Sequence, residues 1–264
     1  MIESNREIKK PSEKREIMPR FEASALRGYC VSVLTASGVE RSCAEAVADA
    51  LIDAELTGVS THGVSRLAVY MQRMDAGVMS RENNIRIVRE STSTLVVDAG
   101  NSLGAAAAKF TMERCIAKAK ETGCCFASVH SSNHFGTAAY YTRLAAAQDM
   151  IGFACTNLKG KIAPFGSAEP YMGTNPISVA APSDDLPVVL DMAPSVVALG
   201  KLILAQKLGK SIPEGWALDK DGHPSTNALD VLANIVAKNG GGIMPLGGST
   251  EKLGSHKGYG YGML

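Results

Sequence analysis

The sequence has no strong excess of charge of either sign, and it has no long apolar run. Its 264 residues include 27 Lys and Arg against 26 Asp and Glu, a formal net charge of +1. Proteins that bind nucleic acids or anionic membranes usually concentrate a basic excess on one face, so the sequence gives no reason to expect either partner. No apolar run approaches the ~20 residues of a membrane-spanning helix, and the N-terminal segment lacks the apolar core of a signal peptide. We therefore expect a cytoplasmic protein with a small-molecule ligand.

Two motifs with well-defined chemistry are also absent. The six cysteines, at positions 30, 43, 115, 124, 125 and 155, form no CxxC pair and no Cys/His spacing typical of a zinc site. Free, buried thiols are the better interpretation, and we expect no metal. No GxGxxG sequence follows a strand-like run, and the GYGYG near the end has a different spacing. An ordinary Rossmann crevice for a dinucleotide is therefore not supported.

The pattern of apolar residues divides the chain into three parts. Residues 1–20 carry many acidic and basic side chains with almost nothing to bury, which predicts a solvated extension. Between residues 21 and 80 apolar residues recur at helical spacing, which predicts a helical domain with Ser42 as an N-cap. From residue 81 to 264 short strand-like runs outnumber helical ones, which favours an α+β domain over a regular α/β alternation. The Gly-rich end, residues 240–264, shows no periodic element.

A hydroxyl, an imidazole and a guanidinium occur together in STHGVSRL, residues 60–67. His62 and Arg66 are four residues apart at the start of a helical stretch, which would place them on one face of the helix. Arg66 could present its planar fork to a carboxylate while His62 faces the same ligand. The spacing fits a solvated arginine and a histidine at a helix end equally well, so both interpretations stay open.

Two further histidines, His130 and His134, are four residues apart in SVHSSNHFGTAAYY. A zinc pair at this spacing should lie within one helix, but the helical pattern starts only around His134. We expect His130 to end a strand as a packed histidine with a backbone partner. Ser132 or Asn133 would cap the next helix and leave His134 in its first turn, where the helix dipole keeps the imidazole neutral. A neutral imidazole at this junction can accept a proton, although a purely structural histidine fits the pattern as well.

Two Gly-containing segments could approach a ligand closely. In MGTNP, residues 172–176, the backbone amides and the hydroxyl of Thr174 could hold a phosphate. In HKGYG, residues 256–260, Lys257 lies among glycines. Each segment is also compatible with a simple turn, so neither identifies a ligand by itself.

Eight motifs in a fixed order resemble the type-2 malate/L-lactate dehydrogenase family. They are STHGVSRL, SSNHFGTAAYY, CTNLKGKIAPFG, MGTNPISVAAP, VVLDMAPS, IPEGWALDKDGHP, PLGG and HKGYG. The resemblance extends from about residue 21 to residue 260. The family also includes ureidoglycolate and sulfolactate dehydrogenases, a diketogulonate reductase and an imine reductase for cyclic amino acids. The ordered set is far more specific than any single motif.

The resemblance implies NAD(P)-dependent interconversion of a 2-hydroxy acid and its 2-oxo acid by a homodimer with sites near the subunit interface. The implied fold is α+β and not Rossmann, with a helical domain packed on a mixed-sheet two-layer α/β sandwich. The implied catalytic residues are His134, as the proton acceptor, and His62. The implied substrate-binding residues are Thr61, Arg66 and Leu158. The implied cofactor-binding residues are Thr174, Asp191, Met192, Ala193 and Lys257.

The sequence departs from the family pattern at three positions. Thr61 keeps the hydroxyl of the more usual serine, Leu158 is bulkier than expected and could narrow the substrate pocket, and Pro194 replaces a hydroxyl residue, which weakens the case for NADP. Family chains also continue beyond KGYG into a helix that returns to the helical domain, so this chain resembles a C-terminally truncated member. The alternatives are an inactive or cofactor-binding-only isoform and a metal-dependent hydrolase that uses His130 and His134.

Overall fold

Eight α-helices and nine short strands are formed by residues 20–264, which are the residues that the computed structural model describes. The helices are α1 (Ala23–Ala36), α2 (Arg41–Leu56), α3 (Ser65–Asp75), α4 (Gly104–Thr122), α5 (Ala138–Ala146), α6 (Leu199–Lys207), α7 (Ala228–Ala237) and α8 (Ser255–Met263). The strands are β1 (Arg86–Glu90), β2 (Thr94–Asp98), β3 (Phe126–His130), β4 (Gly152–Cys155), β5 (Ile177–Ala181), β6 (Val188–Met192), β7 (Ala217–Leu218), β8 (Pro224–Ser225) and β9 (Gly242–Ile243). The predicted extension 1–20 lies outside the described residues apart from Arg20.

Helices α1, α2 and α3 pack around a common core, as the helical spacing of apolar residues predicts. Leu51 and Met74 are among its most deeply buried side chains. Helix α2 begins at Arg41 with Glu40 in the N-cap position, so the predicted cap at Ser42 is wrong. The Ser42 hydroxyl instead donates to Glu40 Oε1 (2.5 Å), because the helix starts before this residue.

The first sheet, in the order β1-β2-β3, is mixed. Strand β2 pairs antiparallel with β1 and parallel with β3. Leu95 and Val97 alternate into the interior from β2 and are almost fully buried. The parallel pair is connected by α4, which ends at Gly123, where a φ of 85° forms a left-handed C-cap. This connection places the N-terminus of α4 beside the segment that follows β3.

The remaining strands form two further three-stranded sheets, β4-β5-β6 and β8-β7-β9, both with antiparallel pairing. Helix α5 packs on the first of them. A second core around Ile162, Leu202, Val231 and Ile243 joins α6, α7 and the β8-β7-β9 sheet. The second core therefore combines Ile162, which precedes β6, with residues that follow β6.

The Gly-rich end forms the helix α8, so the expectation of no regular element there is wrong. A Cβ at Gly258 would lie 2.4 Å from the carbonyl oxygen of Leu246, and a Cβ at Gly262 would lie 3.0 Å from Met172 Cε. The glycines therefore allow the helix to approach its neighbours closely. The same glycines leave few apolar side chains, which removes the periodic pattern that predicts a helix.

These elements confirm the α+β class. The strands are divided among three small sheets. The domain boundary at residue 80 stays a prediction. Within residues 20–264, no helix combines the length and the apolar content that crossing a membrane would require.

Gly104, the first residue of α4, permits a close approach between α4 and the segment after β3. A Cβ there would lie 2.1 Å from the carbonyl oxygen of Asn133 and 2.6 Å from that of His134. Gly104→Ala should therefore lower the free energy of unfolding by about 1–3 kcal/mol, measured by urea denaturation. The control Gly28→Ala in α1, where a new Cβ would meet nothing within 4 Å, should be neutral or stabilise by about 0.5–1 kcal/mol. Equal stabilities of the two variants would contradict this packing.

Candidate active site

The loop between β3 and α5 is fixed by the side chain of Asn133. Its Nδ2 donates to the carbonyl oxygens of Asn101 (3.0 Å) and Ser102 (3.0 Å), and its Oδ1 accepts from Arg73 (3.3 Å). These bonds tie the loop to the turn before α4 and to α3. Asn133 therefore anchors His134, the next residue, between α3 and the turn before α4, which are distant in sequence.

The turn before α3 is fixed by a carboxylate. Glu55 Oε1 accepts the backbone N–H of Val64 (2.8 Å), and the backbone of Gly63 passes so close to Glu55 that a Cβ would clash with it. The preceding residues 60–62 form a single 3₁₀ turn, so His62 lies outside α3 and Arg66 lies inside it. The prediction that they share a helical face is therefore wrong in detail, because the helix starts at Ser65.

Within this turn Thr61 contacts both His62 and Arg66. Its hydroxyl is hydrogen-bonded to His62 Nδ1 (3.0 Å), and its carbonyl oxygen accepts from Arg66 Nε (2.5 Å). Bonding at Nδ1 leaves Nε2 of His62 for a ligand. Bonding at Nε leaves the terminal nitrogens of Arg66 for a bidentate partner.

The two imidazoles predicted from separate motifs meet. The rings of His62 and His134 stack with their centroids 5.4 Å apart and an interplanar angle of 23°. The hydroxyl of Tyr70, a buried residue of α3, is hydrogen-bonded to His134 Nδ1 (2.8 Å). We call His62, His134, Tyr70 and Arg66 the imidazole cluster. Sequence analysis missed Tyr70, although its position four residues after Arg66 on one helix was a usable signal.

Burial and nearby cations keep both imidazoles neutral. Burial, followed by the neighbouring imidazole of His62 and the guanidinium charges of Arg66 and Arg73, lowers the pKa of His134 to about 4. Burial and then Arg66 also lower the pKa of His62. Burial raises the pKa of Tyr70 to about 12, so its hydroxyl is protonated at neutral pH.

The predicted cause of neutrality at His134 is wrong. Helix α5 begins at Ala138 with Thr137 in the N-cap position, so neither Ser132 nor Asn133 caps it and His134 lies before its first turn. The imidazole is neutral because of burial and neighbouring charges. The loop between β3 and α5 is longer than expected, because residues 131–136 belong to neither a strand nor a helix.

Asp191 at the end of β6 caps α5. Its Oδ2 accepts the backbone N–H of Ala139 (2.8 Å), and Ala138 also donates to this carboxylate. Burial nevertheless raises the pKa of Asp191 above its ordinary value. The carboxylate thus links β6 to the helix that follows the His134 loop, and its predicted contact with a cofactor stays a prediction.

The other cofactor candidates lie on segments next to α8. The side chain of Asn175, beside Thr174, donates to the carbonyl oxygen of Gly262 (2.8 Å). Gly262 in turn lies against Pro194, which follows Met192 and Ala193. Met192 is exposed, and Lys257 is exposed on α8. The structure therefore brings segments 172–175 and 192–194 together at α8.

Two predicted residues make their contacts away from the imidazole cluster. The backbone N–H of Leu158 donates to Asn175 Oδ1 (3.0 Å), which places Leu158 beside the cofactor candidates. Its substrate-binding role stays a prediction. His130 is exposed at the end of β3, 3.0 Å from Ser131 Oγ and 3.7 Å from Asp98. The expectation of a packed histidine is wrong because β3 is an edge strand.

All six cysteines are free, as expected, but only Cys30 and Cys43 are buried. The remaining four are partly or fully exposed, which corrects the expectation that they are buried. In the part of the chain that the structure describes, no group of three or more His, Cys, Asp and Glu side chains has the arrangement of a metal site.

The sequence matches malate/L-lactate dehydrogenase over residues 21–264. The chain belongs to this family. The malate dehydrogenase of Pyrococcus horikoshii is 42% identical over 245 residues, which are 93% of this chain and 66% of that protein. A (2R)-3-sulfolactate dehydrogenase (NADP(+)) of Chromohalobacter salexigens is 38% identical over 211 residues, 80% of this chain and 63% of that protein. The chain thus spans just under two thirds of the length of these curated relatives.

A solved structure of the same family has the same fold. The crystal structure of malate dehydrogenase from Entamoeba histolytica has a TM-score of 0.89 to this chain at 34% identity, covering 93% of this chain and 68% of that one. The resemblance inferred from the eight ordered motifs is therefore confirmed for the malate/L-lactate dehydrogenase family.

The low pKa of His134 can be tested directly. In NMR spectra recorded as a function of pH, we expect the imidazole signals of His134 to titrate with a midpoint at a pH of about 4. Arg66→Gln should raise this midpoint, because it removes a positive charge that disfavours imidazolium, although burial will keep it below the ordinary value. Arg41→Gln, which removes an exposed guanidinium paired with Glu45, is the control and should leave the midpoint in place. A midpoint of about 6.5 in the unaltered protein would refute the electrostatic account.

Proposed function

We propose that this protein is an NAD(P)-dependent dehydrogenase that interconverts a small 2-hydroxy acid and its 2-oxo acid. The observation that carries the proposal is the pairing of two neutral imidazoles, His62 and His134, beside the guanidinium of Arg66. A neutral imidazole accepts a proton and a guanidinium binds a carboxylate. A 2-hydroxy acid carries its hydroxyl group on the carbon next to its carboxylate, so it offers a partner to each. Relatives named for malate and sulfolactate support this substrate class.

Arg66 is proposed to hold the substrate carboxylate. The bond from Nε to the carbonyl oxygen of Thr61 orients the guanidinium, and the terminal nitrogens then form a bidentate pair with the carboxylate. Nε2 of His62, whose other nitrogen is hydrogen-bonded to Thr61, is free to contact the substrate oxygen. Both contacts place the carbinol hydroxyl beside His134.

His134 is proposed to accept the hydroxyl proton in the oxidation direction. When Nδ1 carries the ring proton and donates to the Tyr70 oxygen, Nε2 has the free lone pair that takes the proton. In the reduction direction the imidazolium returns this proton to the carbonyl oxygen. The competing tautomer is favoured by the weak bond that the backbone N–H of Gly136 donates to Nδ1 (3.3 Å). Tyr70 is proposed as a positioning residue whose oxygen, by accepting from Nδ1, holds the productive tautomer.

The residues between the imidazole cluster and α8 fit a nicotinamide dinucleotide. The hydroxyl of Thr137 is buried and has no hydrogen-bond partner within the described residues 20–264. A bound ligand could supply the missing partner. Thr174, Met192, Ala193 and Lys257 would hold the cofactor through backbone amides, a hydroxyl and a positive charge. The bound cofactor supplies the hydride acceptor or donor. The Chromohalobacter relative is named for NADP(+), whereas Pro194 lacks a donor, so the choice between NAD and NADP stays open in this proposal.

We extend the proposal to features that the family resemblance implies. These are a homodimer, a cytoplasmic location, a fold other than the Rossmann fold, and a helical domain ending near residue 80. The antiparallel pairing in two of the three sheets supports the proposed fold, because Rossmann sheets are mostly parallel. The family relatives named above are dehydrogenases, which does not favour the alternative of an inactive or cofactor-binding-only isoform.

The test is reduction of NAD and of NADP in the presence of malate, lactate, sulfolactate or ureidoglycolate, combined with one substitution. His134→Ala should lower turnover by ~10²–10⁴, the usual contribution of a positioned acid or base, with cofactor affinity nearly unchanged. Cofactor affinity is measured by fluorescence titration alongside the kinetics.

The matched control is His223→Ala, which removes an exposed histidine on the turn between β7 and β8. This variant should retain full turnover. A loss of less than tenfold in His134→Ala would assign His134 a structural role, and no cofactor reduction with any of the four acids would contradict the proposed function.

A further inference from the structure

We propose that two copies of this chain associate through their β4-β5-β6 sheets. In this pair the uncovered faces of the two sheets pack on each other, and β5 of one copy runs antiparallel to β5 of the other. The surface deepens the proposed function, because a homodimer is part of it. The test measures mass and thiol accessibility, so the surface can fail while the proposed dehydrogenase activity holds, and the activity can fail while the surface holds.

One face of this sheet is covered by α5. The hydroxyls of Thr142 on α5 and Ser178 on β5 are hydrogen-bonded (2.9 Å), and Asp191 on β6 accepts the backbone N–H of Ala139. A Cβ at Gly152 on β4 would lie 2.4 Å from the carbonyl oxygen of Thr142. Because successive side chains of a strand point to opposite sides, the residues that alternate with these lie on the other face of the sheet.

The other face carries nine apolar side chains, which we call the apolar sheet face. Ile151 directly precedes β4 and continues its alternation. The strand register arranges the nine in three rows, which are Ile151, Ala181 and Val188, then Phe153, Val179 and Leu190, then Cys155, Ile177 and Met192. The large side chains on both edge strands are open to solvent, since Phe153 is 55% exposed and Val188 is 70% exposed. Residues 20–264 of one chain therefore leave this face largely uncovered.

The outer face of the β1-β2-β3 sheet is different. It is mostly polar, with Thr94 and Asp98 on β2 beside Ser128 and His130 on β3. An antiparallel sheet with one solvated face normally alternates apolar and polar residues along its strands. The β4-β5-β6 sheet does not, because its outward positions are all apolar. This is the pattern of a sheet with a second layer packed on it.

The apolar sheet face is large enough for a stable dimer. Its nine side chains together expose about 600 Å². Two such faces in contact would bury about 1,200 Å², and a specific interface needs about 1,000 Å² or more. Two sheets can pack face to face with their strands nearly aligned, and a two-fold pair brings the same patch of each copy together. The face suits this pairing because it has no charged side chain that would meet its own copy.

Charges at the two ends of the face decide the orientation of the pair. Asp184 and Asp185 lie in the turn between β5 and β6, at one end of the rows. Lys159 follows β4 at the other end, and all three residues are exposed. When the two β5 strands are antiparallel, the acidic turn of each copy lies at the lysine end of the other. A parallel arrangement would instead bring the two acidic turns together, which is unfavourable.

Analytical ultracentrifugation of the full chain tests the association. We expect the unaltered chain to sediment with twice the mass of one chain. Leu190→Lys, which places a charge within the apolar sheet face, should sediment with the mass of one chain. The matched control Leu204→Lys adds the same charge at a similarly exposed leucine on α6 and should remain a dimer. An unaltered chain with the mass of one chain, or a dimer that survives Leu190→Lys, would overturn the proposal.

The thiol of Cys155 reports on the same face without any substitution. Cys155 and Cys124 are both exposed in a single chain, and Cys124 lies outside the apolar sheet face. Alkylation followed by mass spectrometry should show Cys155 reacting several-fold more slowly than Cys124, and dilution below the dimer Kd should remove this protection. Equal protection before and after dilution would overturn the proposal. Protection in a particle with the mass of one chain would assign the face to another segment of the same chain and would also overturn it.

Charge reversal tests the orientation. Lys159→Glu should raise the dimer Kd at low salt, because it sets a negative charge against the acidic turn of the other copy. Adding Asp184→Lys and Asp185→Lys to this variant should restore association, because the charges at both ends are then exchanged. An unchanged Kd in Lys159→Glu, or a triple variant that associates no better than Lys159→Glu, would overturn the antiparallel arrangement. Circular dichroism of each variant checks that the fold is retained.

Discussion

The hydrogen bond between Tyr70 and His134 joins two parts of the chain that are 64 residues apart in sequence. Tyr70 belongs to the helical part, whereas His134 lies in the loop that leaves the mixed sheet. The stacking of His62 on His134 depends on the same meeting. Asn133 and Gly104 fix the loop from the α4 side, and Glu55 fixes the turn that carries His62. The candidate site therefore forms only when both parts are packed together.

The electrostatics of the cluster follow from the same packing. Burial of His134 costs least when the imidazole is neutral, and Arg66 and Arg73 add a further penalty for imidazolium. The cations therefore serve two purposes at once. In the proposed mechanism they keep His134 unprotonated in the empty site, and they attract the carboxylate of an acid substrate. Binding of that carboxylate would offset the cationic field, which favours protonation of His134 at the stage when the hydroxyl proton is released.

Much of the fold was predictable because local signals and packing agree. The helical spacing of apolar residues between residues 21 and 80 corresponds to the helices α1, α2 and α3. The helix α8 was not predictable from periodicity, because its glycines serve close packing against Leu246 and Met172. Helix α7 carries a clear local signal, because Asn227 caps it by accepting from two backbone amides.

The sequence predicts several residues that the structure brings together, but it does not predict their geometry. His62, Arg66 and His134 were identified by motif order, since single spacings left their roles open. The stacking of His62 on His134 and the contact with Tyr70 depend on long-range packing that no local pattern encodes. The helix-dipole explanation for His134 failed because α5 starts later than its sequence pattern indicated. Burial decides the protonation state instead, and burial is a property of the assembled fold.

The central claim is that the Tyr70 hydroxyl orients His134 for proton transfer. It is tested most directly by the turnover of Tyr70→Phe, which removes one hydroxyl, against Tyr29→Phe, which removes an exposed one. The account predicts that Tyr70→Phe lowers turnover on the order of 10²-fold, as expected for loss of alignment, with cofactor affinity and melting temperature nearly unchanged. Turnover equal to that of Tyr29→Phe would contradict the account.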